Sequence, residues 1–257
     1  MIELRTAFET QASAIRTHAP LVGLDADPEE LHKLRVAIRR MRALLRASRP
    51  LIDDPRAERL RVRLGNLGRA LGPARDADVF SAYMARATAD LDEGTATPRL
   101  LAAVAAERRS AYAAARQALD APGFKRLLRD LDAFNATVVI GEAPLNGLVQ
   151  HESKKLRKAM RDVETNEALH KARVQAKRLR YAAEVAGDDK LIARAREFQD
   201  VVGEHQDAVV AEEHLRTLAK PSTALVVGRL IERQAERRAE ARQELPKAWK
   251  RLAKTTG

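Results

Sequence analysis

Cysteine is absent from the sequence, which excludes disulfides and thiolate metal sites. Aromatic residues make up only 4% of the chain, too few for the stacking platforms that read single-stranded bases. No apolar run approaches the length of a membrane span, and the opening stretch "MIELRTAFETQASAIRTHAP" lacks the apolar core of a signal peptide. A soluble, cytoplasmic protein with no membrane partner is the expectation. There is no P-loop, no serine elbow and no acidic cluster suited to Mg²⁺, so neither catalysis nor a cofactor is expected.

The most local absence lies in "LHKLRVAIRRMRALLR", residues 31–46: one histidine, one lysine and five arginines without a single acid. Surface helices usually temper such density with Glu or Asp three or four positions away. Across the whole chain 47 Lys and Arg face 36 Asp and Glu, a formal charge of +11. The expected partner is therefore anionic.

Ala, Leu, Arg and Glu dominate the composition, the palette of packed helices. Apolar periodicity predicts amphipathic helices at roughly 2–18, 28–49, 55–71, 74–92, 97–120 and 123–135. After "ATVVIGEAPLNG" (136–147) a second succession is expected at roughly 145–163, 166–186, 189–203, 204–219, 221–243 and 245–254. The chain reads as two helical halves, 1–140 and 141–257.

These halves resemble each other. "LHKLRVAIRRMR" (31–42) aligns with "LHKARVQAKRLR" (169–180), and "LGPARDADV" (71–79) aligns with "VGEHQDAVV" (202–210). Two matches in the same order point to an internal duplication. The expected fold is all-α, two pseudo-twofold-related helical bundles. In the second copy the equivalents of Arg75 and Asp78 are lost.

At about 100° per residue, His32, Arg35, Arg39, Arg42 and Arg46 share one stripe beside the apolar seam of Leu31, Leu34, Ile38, Met41 and Leu45. His170, Arg173, Lys177 and Arg180 repeat it beside Leu169, Ala172, Ala176 and Leu179. Arg40 and Arg178 lie on the other flank and are kept as candidate ligands. A third segment, "HESKKLRKAMR" (151–161), puts Lys154, Lys158 and Arg161 on one face with Lys155 at its side. The ordinary explanation of one basic stripe is a solvated face paired to other helices. "RLIERQAERRAE" (229–240) illustrates it, because Arg229–Glu232, Arg233–Glu236 and Arg237–Glu240 are spaced for local pairing. That helix reads as neutralised, whereas the duplicated ones do not.

A His, an Arg three residues later and a dense Arg/Lys row, twice present and each time followed by a Gly and Asp motif, resembles the CHAD family, the conserved histidine α-helical domain. The resemblance covers essentially the whole chain. It implies two pseudo-symmetric bundles that bind inorganic polyphosphate through a basic groove or pore, with targeting to polyphosphate granules. The family's basic positions map onto His32, Arg35, Arg39, Arg42, His170, Arg173, Lys177 and Arg180, with Lys154, Lys155 and Lys158 in addition. The acidic "ExExK" signature of the CYTH domains that often accompany CHAD domains is not found, so the resemblance is to a stand-alone member.

Physical chemistry agrees with that resemblance. Polyphosphate has no bases to read, so closely spaced cations suffice, and an arginine fork can donate two hydrogen bonds to phosphate oxygens. An imidazole near so many cations resists protonation, so His32 and His170 are read as neutral donors or packing groups. Asp76 and Asp207 are expected to pair with stripe arginines and fix their rotamers, with a helix cap or a plain surface acid as the other reading.

Two rivals stay open. Glu29 with His32 and Glu167 with His170 repeat Glu-x-x-His, the spacing of di-iron carboxylate bundles. Rows of arginine repel a metal cation, however, and both glutamates fall in helix first turns where acids are favoured anyway. Non-specific nucleic-acid binding is the broader alternative, since any phosphate polymer responds to a basic groove.

Overall fold

The structure, a computed structural model, describes residues 2–91, 94–141 and 146–255. Among them there is no strand; ten α-helices and two short 3-10 turns carry the fold. Asp92 and Leu145, placed in helices by the sequence periodicity, lie outside the described residues. No described helix is long and apolar enough to cross a membrane.

The chain divides into two compact units, Met1–Ala89 with Leu101–Ala143, and Asp90–Leu100 with Pro144–Gly257. The first contains α1 (Ile2–His18), α2 (Pro28–Ala47), α3 (Pro55–Ala70), α4 (Gly72–Ala87), most of α5 (Ala96–Asp120) and α6 (Pro122–Thr137). The start of α2 is set by Asp27, whose carboxylate accepts from the Glu29 N–H at 2.9 Å, followed by Pro28. Asp54 and Pro55 repeat that device at α3, with the Arg56 N–H donating at 2.8 Å. Phe8, Ile15, Leu34, Ile38, Met41, Leu64 and Phe134 fill the core, all at or near zero exposure. Phe8 meets Phe134 edge to face at 5.8 Å.

Helix α4 is tied to α5 by polar chemistry. The Asp78 carboxylate accepts from the Arg108 Nε–H at 2.7 Å and from the buried Tyr112 hydroxyl at 2.7 Å. At the aligned position of the second half stands Val209, 5% exposed. A polar tie in one half is thus an apolar contact in the other.

The second unit contains α7 (Asn146–Ala159), α8 (Asn166–Ala186), α9 (Asp189–Leu218) and α10 (Ala224–Ala253). Thr165 caps α8 by accepting from the Ala168 N–H at 3.1 Å, and Gly187 closes it with φ of +71°, a left-handed conformation that costs glycine nothing. Leu169, Ala176, Leu179, Leu191, Phe198, Val202, Leu245 and Leu252 form its core. Arg233 of α10 reaches Asp90 at 2.7 Å within this unit.

Two expected boundaries are absent. The segments 189–203 and 204–219 are one helix, because Gly203 is followed by Glu204, which keeps its N–H, whereas Gly72 is followed by Pro73 and the chain breaks there into α3 and α4. Likewise 221–243 and 245–254 merge, as α10 runs through the exposed Pro246.

Burial and the bond to Asp78 push the Tyr112 hydroxyl up to about 12 from its usual 10.0. A group whose folded pKa lies above its unfolded value contributes stability below the unfolded value and loses it as pH rises towards the folded one. Tyr112→Phe should therefore cost about 1–2 kcal/mol near neutral pH, and that cost should shrink between pH 10 and pH 12. Urea unfolding of wild type and variant across this window checks it; a cost independent of pH would refute the assignment.

Candidate functional site

In the first unit, α2 buries Leu31, Leu34, Ile38, Met41 and Leu45 and carries its basic row beside that seam. Arg35 is half-buried, and its Nη1–H donates to the Gly68 carbonyl at 3.1 Å. The same Nη1 lies 3.2 Å from where a Cβ on Gly72 would stand. A Cβ at this position would press on the guanidinium, which would have to give by a few tenths of an ångström. Arg42 lies against α3 in the same way, its Nη2 3.3 Å from the Cβ position of Gly65. Its head is therefore stowed along a helix. Arg39, Arg40 and Arg46 are exposed.

His32 is half-buried, and its imidazole is held below the usual range by burial first and then by the charge of Arg75, with Arg39 and Arg35 acting in the same direction against Glu29. It is a neutral ring near pH 7. Burial also lowers Arg35, opposed by the field of Asp76 and reinforced by Arg39 and Arg75. Arg75 is the residue that sequence reasoning left out of the site. Its signal was present in "LGPARDADV", where it stands three residues after the glycine that faces Arg35 and one before Asp76.

The second unit builds a related arrangement. Gly203 of α9 faces Arg173 of α8, the Arg173 Nη2 lying 3.4 Å from the glycine's Cβ position. Asp207, one turn along α9, reaches the same Nη2 at 3.4 Å. Asp207 also lies in the fields of Lys177 and Arg237, opposed by Glu204. Arg237 of α10 donates to that Glu204 at 2.7 Å. Arg180 is turned inward, its side chain 11% exposed: it donates to Glu184 at 2.6 Å and Gln199 at 3.2 Å and stacks over Tyr181 at 4.5 Å. Lys177 and Arg178 are half-buried, Arg178 donating to Gln175 at 3.4 Å, and His170 is exposed.

On α7, Lys154 and Lys158 are exposed and Lys155 is half-buried; Arg161, just beyond it, is exposed. The arginines of α10 pair between elements with acids of α9: besides Arg237 on Glu204, Arg238 reaches Glu212 at 2.7 Å. Glu29 and His32 are joined by no further carboxylate or imidazole, and among the described residues no three His, Asp or Glu side chains gather as metal ligands would. Each unit thus offers half-solvated guanidinium heads, seated on glycine backbone and accompanied by one aspartate. Such a surface suits an extended oxyanion.

The chain is 31% identical over 251 residues to an uncharacterized protein of Mycobacterium tuberculosis strain CDC 1551 / Oshkosh, and equally to one of strain ATCC 25618 / H37Rv. Each match covers 88% of this chain and 48% of the relative, so the chain spans about half the length of the curated relatives it matches. Among solved structures, PptA from Streptomyces chartreusis superposes with a TM-score of 0.81 at 21% identity, covering 96% of this chain and 98% of that one, a likeness of fold. The CHAD domain from the plant Ricinus communis gives 0.78 at 26% identity, covering 97% and 90%. The CHAD domain profile itself matches residues 6–216, and the chain therefore belongs to the CHAD domain family.

Proposed function

We propose that this protein binds inorganic polyphosphate through the basic rows of α2 and α8, without chemical turnover, and that its two units arose by duplication of one helical unit. The observation that carries the reading is the repeated seat: Arg35 on Gly72 and Arg173 on Gly203, each with an aspartate one turn beyond the glycine. A row that merely solvates a helix has no need to hold a guanidinium against backbone. The family's characterised role, polyphosphate binding, points the same way.

Arg35, Arg39, Arg173 and Lys177 contact the polymer in this reading, with Arg40, Arg46, Arg178, Lys154, Lys155, Lys158 and Arg161 extending the cationic surface. Arg42 and Arg180 hold the rows in place through their packing. Asp76 and Asp207 orient their arginines, and His32 and His170 act as hydrogen-bond donors. Successive cations on one helix stand roughly 4.5–6 Å apart along the axis, close enough for one flexible chain to engage several. The same contacts would hold the protein, in the cytoplasm, on a polyphosphate granule.

The test is a competition titration at matched salt and equal phosphate concentration. Long-chain polyphosphate should displace duplex DNA and RNA; parity among the three would leave only general polyanion binding. A variant with Arg35, Arg39, Arg173 and Lys177 all changed to Gln should keep its helical signal and lose affinity on the order of a hundredfold, from several charge-assisted contacts of ~1 kcal/mol or more. Phosphate release above the no-protein control would contradict a purely binding role.

A further inference from the structure

The two rows are not equivalent, and the difference lies on the helices that face them. In the first unit Gly72 brings α4 against Arg35, and Arg75 and Asp76, three and four residues on, lie on the face of α4 turned towards α2. The second unit confirms this direction by contact: there Gly203 meets Arg173 and Asp207, four residues on, reaches it at 3.4 Å. The charge of Arg75 is accordingly felt by both His32 and Arg35. Three arginines from two helices and one imidazole therefore act on a single small region, opposed by the Asp76 carboxylate.

The second unit changes this chemistry at each point. Gln206 replaces Arg75, and its side-chain oxygen is buried with no donor. Glu204 replaces Pro73 and takes Arg237 as its partner, while Asp207 takes Arg173. Acceptors stand where the first unit has a cation.

We propose that Arg75, with His32, Arg35 and Arg39, forms a site for the doubly charged terminal phosphoryl group of an oligophosphate, a site the second unit does not build. This rests on the polyphosphate reading above and sharpens it. An internal phosphate of a chain carries one charge and two non-bridging oxygens. A terminal one carries three such oxygens and a second charge that is lost only below about pH 6. A compact group of three guanidinium forks and a neutral ring N–H matches the end, whereas an open row serves the middle.

The experiment measures binding of linear tripolyphosphate, cyclic hexametaphosphate, orthophosphate and long-chain polyphosphate at pH 8 and matched salt. The cyclic ligand has more charge and no end. Wild type should bind the linear trimer at least about tenfold more tightly than the ring. Arg75→Gln should abolish that preference while changing long-chain affinity less than about threefold, and Arg75→Lys should restore part of it. Arg109→Gln, which removes an exposed cation from α5, should leave the preference intact. Thermal melts confirm that each variant is folded. A ring bound as tightly as the linear trimer, equal losses for all ligands in Arg75→Gln, or orthophosphate bound as tightly as tripolyphosphate would overturn the chain-end assignment. Wild type that binds long polyphosphate but fails these comparisons leaves the general function standing; failure to bind long polyphosphate at all removes both.

Discussion

A guanidinium lying against helix backbone is the contact on which each basic site depends. Arg35 meets α4 at Gly72, and Arg173 meets α9 at Gly203, within 3.2 Å and 3.4 Å of where a side chain would begin. The glycine permits the approach, and the arginine stem covers the edge of the apolar seam beneath. Full burial of such a charge would cost several kcal/mol. Both heads instead stay half in water, each keeping donors for a further acceptor. Where an acid does stand one turn away, as Glu184 does from Arg180, it takes up the guanidinium's donors and turns the head inward; Arg35 and Arg173 have no acid at that spacing on their own helices.

Much of this was legible in the sequence, and the exceptions have physical causes. Period 3.6 placed His32, Arg35 and Arg39 beside the seam, and the all-helical composition excluded strands. The duplicated motifs located the glycines and aspartates without showing what they touch. Periodicity tells on which face a Cβ stands, not where a long side chain ends, so it could not show that the heads of Arg42 and Arg180 turn onto Gly65 and Gln199. Contacts between helices are equally silent in one dimension. Arg75 entered the site from α4, and Arg237 of α10 found Glu204 of α9. The expected break after Gly203 is absent because glycine alone does not end a helix, whereas at Gly72 the following Pro73 lacks the N–H that a continuous helix would use and sits in the first turn of α4.

The differences between the halves have one origin, the few substitutions between "LGPARDADV" and "VGEHQDAVV". Proline for glutamate breaks one helix and removes an acid. Arginine for glutamine adds a cation beside His32, and aspartate for valine ties α4 to α5 through Arg108 and Tyr112. The two related motifs thereby present surfaces of different charge.

Salt dependence tests most directly whether the basic rows of α2 and α8 take a polyanion as counter-charge. If several row cations neutralise phosphates at once, log affinity for long polyphosphate should fall linearly with log salt, with a slope corresponding to about four or more displaced ions. A slope near zero or one would mean that the rows are ordinary solvated faces and that the seats on Gly72 and Gly203 serve packing alone.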